Sequence, residues 1–143
     1  MRRLLALAAC LAFCSSAVAA SAPSRATVTV RPSSFGSVLF DGRGFVLYGF
    51  TRDPRAHSVC TGACAAAWPP YIVKTRASAG AGVRAKLLGT TKRKDGRLQV
   101  TYAGRPLYYY VGDRKAGQIL CQNVTEFGGV WRVVRPSGKL VSG

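Results

Sequence analysis

The sequence predicts an all-β domain: antiparallel hairpins forming a small two-repeat unit, with at most short helical turns. Three observations carry this. Short apolar and aromatic runs are separated by Gly-containing turns at close spacing. No stretch of useful length shows the period of an amphipathic helix. Finally, Leu47-Tyr48-Gly49-Phe50-Thr51-Arg52-Asp53 returns as Leu107-Tyr108-Tyr109-Tyr110-Val111-Gly112-Asp113, offset by 60 residues, each copy following a Gly-Arg turn and preceding a tryptophan, Trp68 or Trp131.

At the start, Met1-Arg2-Arg3 leads into the uncharged run Leu4 to Ala20, and Ala17-Val18-Ala19 offers small residues at a cleavage spacing. Residues 1–20 therefore read as a secretory signal peptide. The run is about 17 residues, at the lower limit for a bilayer span, and its flanks favour cleavage over an anchor. The mature chain then carries no transmembrane segment. Leu7-Ala8-Ala9-Cys10 resembles a lipobox, but only six residues separate Arg3 from Cys10, too few for the apolar region lipidation requires.

Residues 21–34, rich in Ser, Ala, Arg and Pro, read as a linker or a first strand at Thr27-Val28-Thr29-Val30. The β domain is expected over 35–143, with copies near 35–73 and 95–135. Its first hairpin is Ser37 to Phe40, a turn at Asp41-Gly42-Arg43-Gly44, and Phe45 to Phe50. The second is Arg97 to Tyr102, a turn at Ala103-Gly104-Arg105-Pro106, and Leu107 to Val111. A third joins Val130 to Val134 with Lys139 to Val141 around Pro136-Ser137-Gly138. One or two helical turns fit Ala63 to Trp68, stopped by Pro69 and Pro70. Ser78-Ala79-Gly80-Ala81-Gly82 reads as a flexible surface loop.

Charge narrows the partners. Removal of Arg2 and Arg3 with the signal leaves 19 basic against 5 acidic residues, a net charge of +14. Such a field favours anionic partners, and for an exported chain these are anionic lipid or cell-wall polymer. Basic residues cluster between Lys74 and Arg97, where Lys74, Arg76, Lys92, Arg93, Lys94 and Arg97 make a candidate anionic-surface patch against the single acid Asp95. The ordinary alternative is a solvated loop and hairpin. No aromatic residue interleaves these cations and no nucleic-acid motif is present, so nucleic acid is not expected.

Within each copy, strand alternation places Tyr48 and Phe50 on one face and Tyr108 and Tyr110 on one face, an aromatic pair able to cover a half-buried sheet. Asp53 and Asp113 lie just past the strand ends. There a carboxylate can accept backbone N–H groups or a tyrosine hydroxyl from a neighbouring strand. A paired acid or metal site is the functional alternative to this structural reading. Trp68 and Trp131 complete each motif.

Cleavage would leave Cys60, Cys64 and Cys121, an odd set in an oxidising compartment. Three pairings are open. A Cys60–Cys64 ring gains about 2 kcal/mol by chain entropy, whereas a bridge from either to Cys121 reaches about 4 kcal/mol. Cys60 and Cys121 also occupy near-equivalent places in the two copies, while the short Cys-Thr-Gly-Ala-Cys spacing suits a local ring. His57, Cys60 and Cys64 form a candidate metal set, with Cys121 as a further ligand. The spacing is not a known zinc pattern, the mature chain has no methionine for a copper site, and Cys-x-x-Cys-His for haem is absent. No cofactor is expected.

Catalysis is poorly supplied. His57 is the sole histidine available as a base for a nucleophile, paired-carboxylate chemistry would need two of five acids to converge, and Gly42-Arg43-Gly44 lacks the context of a phosphate loop. The chain is not expected to be an enzyme.

Taken together, the two Tyr-x-aromatic-x-x-Asp motifs, Cys60-x-Gly-x-Cys64 with Trp68-Pro69-Pro70, and Gly128-Gly129-Val130-Trp131 resemble the bacterial secreted repeat family described as predicted lipoproteins with a Yx(FWY)xxD motif. The resemblance covers roughly Phe35 to Val141. It implies an exported, envelope-associated or extracellular protein, in the periplasm or at the cell surface, and supplies no catalytic residue. The misplaced lipobox departs from the lipoprotein members. Two functions follow: a non-enzymatic binding or structural module for anionic envelope components, or an extracytoplasmic metal-binding or redox accessory built on the cysteines.

Overall fold

A computed structural model describes residues 27–143. The signal peptide, the lipobox-like stretch and the first part of the linker lie outside the described residues. Among the described residues are ten strands, which make three small sheets, one short helix and a 3-10 turn at Ala85–Leu87.

The first sheet has the order β2-β1-β5, with β1 Thr27–Arg31, β2 Val38–Asp41 and β5 Ser78–Ala79. β1 and β2 are antiparallel, Val28 opposite Asp41 and Arg31 opposite Val38. The run from Thr27 is thus a strand, and the folded part begins before Phe35. The stretch at 78–82, expected as a flexible loop, instead docks parallel to β1. Gly80 makes this close approach possible: its N–H bonds to the Val28 carbonyl at 2.7 Å, and a Cβ there would lie 2.7 Å from Thr29 Cγ2. Turn composition alone did not reveal that an edge strand was waiting for it.

The second sheet, β3-β10-β9, joins β3 Tyr48–Phe50 to β10 Gly129–Val133 and β9 Val124–Glu126, all antiparallel. The third places β7 Leu98–Tyr102 between β4 Ile72–Val73 and β6 Leu88–Lys92, with β8 Arg105–Pro106 also on β7. The hairpins expected in the sequence are present but short. After the Phe40–Val46 bridge the first hairpin opens, and β3 leaves to pair with β10. The second opens likewise beyond the bond from the Leu107 N–H to the Val100 carbonyl. The third closes through Val134 and Leu140.

This opening positions the site. Where the two divergent segments meet, Tyr48 and Tyr108 exchange both backbone hydrogen bonds at 2.9 Å, an antiparallel bridge between equivalent residues of the two copies. Strand alternation then separates two cores. Leu47 and Leu107 face one with Val28, Leu39, Val100 and Tyr102; Tyr48, Phe50 and Tyr108 face the other with both tryptophans. The helix α1, Ala63–Ala67, ends where the Trp68 N–H bonds to the Cys64 carbonyl and two prolines follow. That stop delivers Trp68, fully buried, into the aromatic core.

Candidate functional site

The two motif aspartates occupy matching turns: the Asp53 N–H bonds to the Phe50 carbonyl at 3.2 Å and the Asp113 N–H to the Tyr110 carbonyl at 3.1 Å. Each Oδ1 accepts a backbone N–H from its own loop, Val59 at 2.8 Å or Leu120 at 2.9 Å. Each Oδ2 accepts a tyrosine hydroxyl from the other copy, Tyr108 to Asp53 at 2.6 Å and Tyr48 to Asp113 at 2.7 Å. The copies are therefore clasped by reciprocal side-chain bonds beside their reciprocal backbone bonds. Burial raises both carboxyl groups above the ordinary range, against the opposing pull of these donors. Burial, together with the facing carboxylates, also drives both phenols well above theirs, so they stay protonated as donors. The two carboxylates are engaged separately and do not share a ligand position.

The rings repeat this symmetry. Tyr48 meets Trp68 edge-on at 5.2 Å and Tyr108 meets Trp131 edge-on at 5.1 Å. Trp68 and Trp131 stack face to face at 4.1 Å. Outside them, Phe50 covers Trp131 at 4.1 Å and Tyr110 covers Trp68 at 4.8 Å. The symmetry fails at the indole nitrogens: Trp68 donates to Glu126 at 2.8 Å, while Trp131 Nε1 is buried with no hydrogen-bond partner among the described residues.

Cys60 and Cys64 form a disulfide, with Cα atoms 5.3 Å apart, and Cys121 is a buried free thiol. The larger entropy gain of a long bridge did not decide the pairing. The tight turn before α1 brings the neighbouring sulfurs together, while Cys121 lies by the Tyr110 hydroxyl. Burial raises the Cys121 thiol above its ordinary value. The disulfide uses both thiolates of the His57, Cys60, Cys64 set, and His57 is exposed. Among the described residues no three His, Cys, Asp or Glu side chains gather where they could hold an ion.

The basic patch divides. Lys74, Arg76, Lys92, Lys94 and Arg97 are exposed, but Arg93 is buried and does not belong to the surface. Its guanidinium donates to Ser58 at 2.6 Å, Gln99 at 2.7 Å and the Cys60 carbonyl at 2.7 Å. Ser58 in turn is 2.7 Å from the Tyr108 hydroxyl. Arg93 thus ties the disulfide loop and the Tyr108–Asp53 clasp to β7. Nothing in the run of cations distinguishes Arg93 from its neighbours.

A second group went unnoticed in the sequence. Asp41 accepts the Arg43 and Phe45 N–H groups, the Arg43 Nε at 2.9 Å and the Tyr109 hydroxyl at 3.1 Å. Asp95 and Arg97 repeat the Arg43 arrangement, backbone and Nε at 3.0 Å, so Asp-Gly-Arg is a local turn signal used twice. In the first copy the Arg43 guanidinium lies over Phe45 at 5.2 Å and Tyr109 at 5.8 Å.

Fold and site together define a duplicated β unit whose halves are locked by exchanged Tyr–Asp bonds around a tryptophan stack. The chain belongs to the family described as a secreted repeat of unknown function, whose model matches residues 29–71 and 89–135. Both matched segments begin earlier than the copies expected in the sequence, taking in much of β1 and most of β6. No curated protein and no solved structure matches the chain. Family membership places it among exported proteins. Among the described residues no helix is long and apolar enough to cross a membrane.

Proposed function

We propose that the domain is a non-enzymatic module that holds to polyanionic components of the cell envelope, bearing phosphate or carboxylate, through its basic surface. One observation carries the reading: the fold uses all five of its carboxylates internally. Asp53 and Asp113 take tyrosine hydroxyls, Asp41 and Asp95 hold turn arginines, and Glu126 takes the Trp68 indole. Among the described residues only Arg43, Arg93 and Arg97 come within 4.0 Å of a carboxylate. The other described cations, including exposed Lys74, Arg76, Lys92 and Lys94, have no carboxylate within that distance. A field of one sign concentrates polyanions and is screened by salt.

The test is co-sedimentation of the exported protein with purified wall polymer, with vesicles containing anionic lipid and with neutral vesicles, across rising salt. Binding to wall polymer or anionic vesicles that weakens steeply with salt supports the reading, and the arm that binds identifies the source. Indifference to both polyanions, or retention unaffected by salt, overturns it.

A further inference from the structure

The two copies diverge beside their motif aspartates. Next to Asp53 a cleft of about 260 Å³ is edged by Arg55, Ala103, Gly104 and Arg105. Next to Asp113 a cleft of about 250 Å³ is lined by Arg43, Phe45, Tyr109, Tyr110 and Val111. The repeat offset sets Tyr109 against Gly49, where a Cβ would lie 2.8 Å from Leu140 Cδ2 of the C-terminal turn. One copy thus packs against the chain's own end at the position where the other carries an aromatic wall.

The clasp and the tryptophan stack explain the shared residues, but not this wall. Tyr109 and Arg43 are both tied to Asp41, which fixes the guanidinium by its Nε and leaves the Arg43 side chain 72% accessible. Val111, an apolar residue 52% exposed, stands at the same cleft. With its Nε bonded to Asp41 and its Cζ 5.2 Å from the Phe45 ring and 5.8 Å from the Tyr109 ring, Arg43 has its Nη groups left to bind a planar acid. The volume lies below the range of drug-sized pockets and suits a single ring. The carboxylate of Asp113, with two hydrogen bonds accepted, retains capacity for hydroxyl donors.

We propose that this cleft is a subsite for one ring of an acidic sugar. The acid group sits on the Arg43 guanidinium, the C–H face of the ring lies against Tyr109 and Tyr110, and ring hydroxyls donate to Asp113. The inference rests on the polyanion reading for the acidic character of the ligand, and adds its class and place.

The test is a titration of isotope-labelled exported protein with D-glucuronate, D-glucose and inorganic phosphate, following the resonances of Arg43, Tyr109, Tyr110 and Val111. Glucuronate is expected to give saturable shifts at these residues, with glucose and phosphate at least about tenfold weaker. Arg43→Gln, at an exposed side chain, is expected to weaken glucuronate by about tenfold while the remaining spectrum is preserved. No shifts at the cleft, equal binding of glucose or phosphate, or unchanged affinity in Arg43→Gln overturns the subsite. Co-sedimentation with polyglucuronate separates the two readings. Salt-sensitive retention without cleft shifts defeats the subsite alone, whereas cleft shifts without retention of any polyanion defeat the surface reading and leave the subsite standing.

Discussion

Tyr48 donates its hydroxyl to Asp113 across 65 residues of sequence at 2.7 Å, and Tyr108 returns the bond to Asp53 at 2.6 Å. Each bond joins a strand of one copy to the loop of the other, so neither copy completes its own motif. The clasp thus ties the two copies together by side-chain bonds.

Removal of either side of a clasp is expected to cost about 1.5–3 kcal/mol, the range for hydrogen bonds to a charged group. Tyr48→Phe, Asp113→Asn and the double variant, followed by urea unfolding, form a double-mutant cycle. A coupling energy of about 1 kcal/mol or more is expected. Additive effects would show that the bond contributes packing only.

Stability is expected to hold, or rise, as pH falls from neutral. The carboxyl groups of Asp53 and Asp113 have folded values raised above the ordinary 3.8 by burial. A raised acid contributes stability that is fully present below its unfolded value and lost as pH rises through its folded value. Exposed Asp95, held down to about 2 by Arg97, acts in the opposite sense only at strongly acidic pH and is screened by salt. A steep fall in melting temperature between about pH 6 and 4.5 would contradict this.

The same linkage sets an alkaline limit. Burial foremost raises Tyr48, Tyr108 and Tyr109 well above 10. Their contribution is present below about pH 10 and lost as pH rises through the folded values. Tyrosinate absorbance is expected to appear for these residues together with loss of structure. Independent, reversible ionisation in the folded state would overturn the burial argument.

In the exported protein with residues 1–20, and so Cys10 and Cys14, removed, one thiol is expected to react after denaturation without reduction and none rapidly in the native state, since Cys121 is buried and Cys60 is bonded to Cys64. Reduction of the short ring is expected to lower stability by about 2 kcal/mol without unfolding the domain. Three labelled thiols before reduction would reject the disulfide.

Arg93 and Lys94 are neighbours with opposite roles. Arg93→Ala is expected to cost about 3 kcal/mol, because it strips donors from Ser58, Gln99 and the Cys60 carbonyl inside the fold. Lys94→Ala is expected to change stability by under about 0.5 kcal/mol and to weaken polyanion binding. Comparable losses of stability in thermal melts of both variants would place Lys94 in the interior too.

The sequence by itself determined the β class, the duplication, the aromatic faces and the brief helix before Pro69. These depend on local periodicity, turn chemistry and self-similarity, all carried by neighbouring residues. The identity of the residues about Tyr48, Asp53, Trp68 and their second copies was likewise legible. Tertiary structure alone decided which Asp meets which Tyr, because exchange and self-pairing use the same residues and differ only in how the copies face. It also decided that Arg93 turns inward, that residues 78–79 extend a sheet, and that Cys60 pairs with Cys64. Arg43, Asp41 and Tyr109 converge for the same reason: 68 residues separate Asp41 from Tyr109, and only packing of the two copies closes that distance.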